Sequence, residues 1–209
     1  MRQGQTSAVS NQARPRAAAD RHAALLDKAL ELFSQHGFAQ ISMRDLGASL
    51  GIRAGSLYHH IDSKDALLQE LIEDLYSELL ANACQVQRRR QTPAARLNAL
   101  VDAHLDLHRT MAAHFQLAEQ DFRYLRDSHR DSVLALRQCY EGHFLAPLRQ
   151  LAASDDERTL CSVARGMVSL LNQLPSRFPT QPLCSATNTA LLREMALGAL
   201  RGAIGTRFS

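Results

Sequence analysis

From residue 21 onward, apolar residues recur at the three- and four-residue spacing of helices, and no segment alternates as a strand would. Leu26, Leu30 and Phe33 fall on one face of a first helix, which Gly37 is placed to end. Leu68, Leu71, Ile72, Leu75 and Leu79 form the stripe of a long helix capped by Asp62 or Ser63. Thr92-Pro93 restarts a helix, with a capping hydroxyl ahead of a proline whose missing amide costs nothing there; Leu97, Leu100, Val101, Leu105 and Leu107 make it largely buried. A short helix is expected around 109–118 and a longer one over 126–151, kinked or ended by Pro147. Ser154-Asp-Asp-Glu157 reads as a capping box opening a helix through Asn172, closed by Leu174-Pro175. After a proline-bearing loop over 176–185, a last helix runs from about Thr187 to Ile204. The fold class is all-α.

The most specific segment is Ile41 to His60. Ser42 and Asp45 form a capping-box variant, so a helix starts near Met43 with Leu46 and Leu50 facing inward. Gly51 supplies the positive φ of a sharp turn. A second helix follows over about 53–60, with Ile52 and Leu57 packing inward. Arg53, Ala54, Gly55, Ser56, Tyr58 and His59 stay available to a partner, and small residues on the leading turn let the backbone approach a DNA groove. Two short helices meeting at a glycine in this way read as a helix-turn-helix.

With its flanks, this segment resembles the DNA-binding domain of the TetR transcriptional regulators, from Arg21 to about Leu79. The resemblance rests on Ala29-Leu-Glu-Leu-Phe-Ser-Gln-His-Gly-Phe38, then the two-helix unit, then Leu57-Tyr-His-His-Ile-Asp-Ser-Lys-Asp-Ala-Leu67. It departs from the usual pattern at Gly47, Leu50 and Ile61, where alanine, a small residue and phenylalanine are commoner. Gly47 should weaken its helix by up to about 1 kcal/mol. The resemblance implies an N-terminal three-helix DNA-binding domain followed by a helical ligand-binding and dimerisation domain. We therefore divide the chain into a flexible basic arm (1–20), the DNA-binding domain (21–66) and the C-terminal domain (67–209). Tyr58, His59 and Lys64 match positions that commonly touch the DNA backbone, although Tyr58 can also brace the motif. Ser42 is placed on the same interface. Arg44 and Arg53 suit guanine through O6 and N7; either can instead hold only a phosphate, and Arg44 suits the two uses equally.

Composition changes this picture little. With 209 residues, 45% hydrophobic, 22% charged and a net charge of +3, the chain can bury a core without staples. The positive charge gathers in the arm, where Arg2, Arg14, Arg16 and Arg21 face one acid, Asp20; such an arm either reaches a minor groove or only solubilises. Arg88-Arg-Arg90 reads as a solvated helix end. No run of 18 apolar residues spans a membrane, and the first 20 residues lack the apolar stretch of a signal peptide, so a cytoplasmic location is expected. Cys84, Cys139, Cys161 and Cys184 are scattered and should be reduced thiols, mostly buried.

In the C-terminal part, His104 and His108 share a helix face at i and i+4, a spacing that two metal ligands can use. No third ligand accompanies them locally, and no metal or cofactor is assigned. They read instead as lining an effector pocket with Met111, Phe115, Tyr140 and Phe144, and core packing explains the same residues equally well. Glu119-Gln-Asp-Phe-Arg-Tyr-Leu125 is similar to members of the family that respond to fatty acyl or acyl-CoA compounds; Arg123, Arg126 or Arg130 would hold an anionic group. The effector is accordingly expected to be apolar or acyl-CoA-like. Gly198 and Gly202, with Ala199 and Ala203, make one side of the last helix small, which suits either internal packing or a subunit interface. The family's dimer, formed through its last two helices, favours the interface. Phosphate loops, Rossmann fingerprints, Gly-x-Ser-x-Gly and His-Glu-x-x-His are absent, so no catalytic residue is assigned. The expected protein is a homodimeric, ligand-responsive repressor on a palindromic DNA operator; the alternative is a small-molecule- or metal-binding helical protein that does not control transcription.

Overall fold

A computed structural model describes residues 10–58, 61–152, 156–177 and 185–205. Among these residues it contains α1 (Ser10–His36), α2 (Met43–Ser49), α3 (Ala54–Leu57), α4 (Lys64–Arg88), α5 (Pro93–Thr110), α6 (Ala112–Gln120), α7 (Asp127–Leu151), α8 (Glu157–Arg177) and α9 (Ser185–Ile204), with no strand. The chain divides into two compact units, Met1–Leu68 and Gln69–Ser209, so that α4 begins in the first and continues in the second.

Unit 1 is built from local signals. Helix α1 starts at Ser10, so half of the expected flexible arm is helical; the alanine-rich stretch over 17–24 favours helix and contains no breaker. Its buried face is Leu25, Ala29 and Phe33, with Leu26 and Leu30 half-buried, one residue off the expected stripe. Gly37 ends it at φ 84°, its amide bonding Phe33 O at 2.8 Å. The capping box at Ser42 forms as expected: Ser42 N donates to Asp45 Oδ2 at 2.8 Å and Asp45 N to Ser42 Oγ at 3.2 Å. Gly51 turns the chain at φ 69°. Ile52 is 41% exposed rather than packed inward, whereas Leu46 and Leu57 are fully buried.

Gly47 is where the turn between α2 and α3 comes closest. A Cβ there would lie 2.8 Å from Ile52 O and 3.2 Å from Ala54 N, both backbone atoms of the turn. The Ile52 amide also bonds Gly47 O at 2.9 Å, so the approach is built in. Glycine is therefore needed here, and its cost in helix propensity is secondary. Gly47→Ala is expected to gain about 1 kcal/mol of propensity but to lose roughly 1–3 kcal/mol by displacing the turn. The net fall in stability would be read from a urea midpoint.

Unit 2 is a helical bundle in which α7 packs on α5 and α8, and α9 on α8 and α5. The α4 stripe is buried at every expected position, and Ser63 provides the cap, its Oγ accepting from Ala66 N at 3.0 Å. Thr92 and Pro93 open α5 as read from the sequence. Helix α7 runs to Leu151 as expected, with Pro147 inside it, whereas Pro175 does not close α8, which continues to Arg177. The cap of α8 is Asp156, which accepts from Thr159 N at 3.2 Å, while Ser154 lies outside the described residues. Cys84 and Cys139 are exposed and Cys161 half-buried, against the expectation of buried thiols; Cys184 lies outside the described residues.

Candidate functional site

In unit 1 the two short helices display the polar residues that the sequence singles out. Arg44 on α2 is exposed, as are Arg53, which caps α3, and Gly55, Ser56 and Tyr58; Ala54 is half-buried. Tyr58 is 56% exposed, so more than half of its side chain stands in solvent. Ser42 is exposed, but its hydroxyl accepts from the Asp45 amide and donates to the Asp45 carboxylate at 2.6 Å, so it serves the cap first. Those hydrogen bonds hold the Asp45 carboxyl below the usual carboxylate range. His59 lies outside the described residues. Lys64 points inward, its Nζ donating to Phe38 O and Ile41 O, both at 2.7 Å.

In unit 2, His104, His108, Phe115, Tyr140 and Phe144 come together. His104 Nδ1 pairs with Tyr140 OH at 3.0 Å, and the His104 and Phe115 rings lie 5.1 Å apart. His108 stacks on Phe115 at 4.3 Å and 17°, while Tyr140 meets Phe144 edge-on at 5.6 Å. The His108 Nε2–H donates to the carbonyl of Asn172 at 3.2 Å, which fixes its neutral tautomer. Pro175 has no amide to offer the carbonyl four residues back, that of Leu171. The His104 ring leans on that carbonyl, although its Nε2 makes no well-formed hydrogen bond. Burial, followed by the neighbouring His108, pushes the His104 pKa down to about 3; burial also lowers that of His108. Burial pushes the Tyr76 hydroxyl up to about 12.

Asn172 is the member of this cluster that sequence reading missed. It is 1% exposed, and its side-chain amide donates to Glu119 Oε1 at 2.7 Å while Gln173 donates to Glu119 Oε2 at 3.1 Å, tying α6 to α8. Its position on the buried stripe with Val168 and Leu171 was the available signal. Met111 is half-buried at the joint between α5 and α6. Arg123 does not join the cluster: the 3-10 turn over Phe122–Tyr124 carries it outward, where it is exposed and rests on Tyr124. Arg126 is also exposed, and Arg130 donates to Arg123 O and Leu125 O. Among the described residues no group of three or more His, Cys, Asp or Glu is placed to hold a metal.

An apolar stripe runs along the outer side of α9, beside the exposed pair Glu194 and Arg201. Leu191 and Met195 are 50% and 42% exposed, and Gly198 and Gly202 have open space where a Cβ would stand. A cleft of about 240 Å³ between α8 and α9, lined by Val163, Gly166, Leu170, Ala199 and Ala203 among others, continues it.

Residues 25–71 match the family described as bacterial regulatory proteins, tetR family, and residues 90–176 match the tetracyclin repressor-like C-terminal domain. The chain belongs to the TetR family. Its members are transcriptional regulators, not enzymes. The chain is 30% identical over 116 residues to the transcriptional repressor KstR2 of Rhodococcus jostii, a match covering 51% of this chain and 57% of that one. It thus spans little more than half the length of that relative. It is 26% identical over 180 residues to the transcriptional regulator BetI of Agrobacterium fabrum, covering 83% and 85%. The crystal structure of AibR in complex with isovaleryl coenzyme A and operator DNA shares the fold, with a TM-score of 0.72 and 20% identity over 84% of this chain and 97% of that one. Among the described residues no helix is long and apolar enough to cross a membrane.

Proposed function

We propose that this TetR-family chain is a cytoplasmic repressor that binds a pseudo-palindromic DNA operator as a homodimer and is released by a small-molecule effector. The observation that carries the reading is the exposed set Arg44, Arg53, Gly55, Ser56 and Tyr58 on a capped helix-turn-helix. Arg53, at the leading end of α3, suits a base edge, and Tyr58 suits a phosphate oxygen. One such head reads only a few base pairs, so useful specificity needs two, about 34–36 Å apart on one face of the duplex. The exposed apolar stripe of α9, bare at Gly198 and Gly202, supports pairing with a second copy, because small residues let two helices approach closely.

The ring cluster in unit 2 supports an effector site around His104, His108, Phe115, Tyr140 and Phe144, with Met111 at its edge. Its walls are apolar and its polar groups neutral, which suits the acyl part of an acyl-CoA-like molecule or another apolar compound. AibR was solved with such a thioester. Arg123 and Arg126 belong to the surface, where only an exposed anionic portion would meet them, and Arg130 is half-buried with its guanidinium on the Arg123 and Leu125 carbonyls. The metal alternative receives no support from the histidines, whose rings are engaged by Tyr140 and by the Asn172 carbonyl.

The test is capture of genomic fragments by the purified full chain, followed by sequencing. Enrichment of a palindromic site, including one beside the chain's own gene, is expected. Recovery without sequence enrichment would sink the repressor reading.

A further inference from the structure

We infer that Lys64 is a positioning residue of the DNA-binding head and not one of its phosphate ligands. The inference rests on reading unit 1 as that head. The Lys64 ammonium lies 2.7 Å from Phe38 O and 2.7 Å from Ile41 O, and 4.0 Å from the centroid of the Phe38 ring. Each contact ties down a different part of the head. Phe38 is 6% exposed and packs edge-on against Phe33 of α1 at 5.1 Å, so its ring carries α1. Ile41 O immediately precedes Ser42, the cap of α2. Lys64 itself is the first residue of α4. One charged group therefore fixes the start of α4 against the segment that sets the direction of α2, and through the tight Gly47 turn that of α3.

The chemistry favours this use. The acceptors are the carbonyl that opens the short 3-10 turn Phe38–Gln40 and that of Ile41, the residue that ends it, and a hydrogen bond from a charged donor is roughly twice as strong as a neutral one. The ammonium also gains from the electron-rich face of a buried ring. Two of the three ammonium N–H groups are taken by the carbonyls and the Phe38 ring covers the charge from one side, so little of it is left for a phosphate, whereas Arg44, Arg53 and Tyr58 already stand in solvent. The lysine matches a position that touches the DNA backbone elsewhere in the family, yet here its charge is directed into the head.

Lys64→Met keeps the apolar stem over Phe38 and removes the charge; Lys64→Arg keeps a donor that can serve two carbonyls. Hydrogen exchange on the full chain reads the amides of Leu46, Leu50 and Ile52, whose acceptors lie within α2 and its cap. Their exchange is expected to accelerate about tenfold or more in Lys64→Met and to remain near parental in Lys64→Arg, with α5–α9 unchanged in both. Binding to a random-sequence duplex of about 30 base pairs, long enough for two heads, is expected to keep its salt slope in both variants, because no phosphate contact is lost. Unchanged exchange in Lys64→Met, or a salt slope reduced by about one unit per head, would overturn the inference. If even the parent ignores the duplex, the DNA reading fails by itself and the exchange result still decides the role of Lys64.

Discussion

Gly202→Leu is expected to convert the proposed homodimer into monomers and to weaken operator binding by at least about a hundredfold, without unfolding the chain. Among the described residues nothing beyond the helix's own backbone lies within 4 Å of the position a Cβ would take at Gly202, so the side chain meets no obstacle there. Replacing an exposed helical glycine also adds up to about 1 kcal/mol of helix propensity. The substitution is thus neutral or stabilising for one subunit and obstructive only to a second helix laid against α9. Loss of pairing removes the gain from binding two half-sites at once, which amounts to about 10²–10⁴ in affinity when two modules are linked. Sedimentation, thermal melting and anisotropy with the operator duplex separate these effects. A variant that stays dimeric and binds normally places the interface elsewhere and returns the small residues of α9 to a packing role. Gly198→Leu, one turn earlier on the same face, serves as the independent repeat.

The α9 face was partly legible in the sequence because Gly198 and Gly202 stand out as a pair, but Leu191 and Met195 gave no sign of being outside rather than inside. A helix with apolar residues on both its core side and its outer side has weak periodicity, and only the packing partner tells the two sides apart. The helix-turn-helix was legible because its signals are local: a cap at Ser42, a positive-φ glycine at Gly51 and a short apolar stripe. Its errors were those of side chains at a turn. Ile52 looks like core by hydropathy, yet the chain direction after Gly51 turns it outward. Lys64 looks like a phosphate ligand, because a sequence shows the charge and not the carbonyls that take it. Gly47 looked like a defect because propensity is a property of the residue, while the close approach of Ile52 O is a property of the turn.

The misplaced end of α8 at Pro175 has a physical source. A proline inside a helix costs one hydrogen bond and a local clash, and a well-packed helix can absorb that. At Pro175 the consequence is constructive. The carbonyl of Leu171 loses its helical amide, the α8 backbone there faces α5, and His104 and His108 come up against the Leu171 and Asn172 carbonyls. The histidine pair was visible at i and i+4; its partner on α8, the Asn172 carbonyl, lies 64 residues from His108 and depends on how α8 ends.

That burial gives the second large effect. Acidification from pH 7 to pH 5 is expected to destabilise the protein, and His104→Phe to remove much of that dependence. His104 is 1% exposed and is surrounded by Phe115, Tyr140, His108 and the Leu171 carbonyl, so its charged form is excluded until the pH approaches about 3. In the unfolded chain the same ring takes a proton near pH 6.5. Between those values unfolding binds a proton, so stability falls with falling pH, by up to about 1.4 kcal/mol per pH unit for this one site. The contribution is complete above about pH 6.5 and is lost progressively as the pH drops from there towards about 3. Burial lowers His108 and His143 in the same direction, so they steepen the slope. The carboxylates held low by hydrogen bonds, Asp45, Asp156 and Glu157, have ordinary values of 3.8 to 4.5 and act below the pH 5 to 7 window. For His104 alone the loss between pH 6.5 and 5 is about 2 kcal/mol, or roughly 4–8 °C in Tm for a chain of this size. His104→Phe keeps a ring in place but strands the Tyr140 hydroxyl, so its Tm at pH 7 should fall, by roughly 1–3 kcal/mol of stability. Its Tm should nevertheless change less between pH 7 and 5 than that of the parent. Melting curves of both proteins at pH 5, 6 and 7 give the two slopes, and equal slopes would mean that another group carries the acid sensitivity.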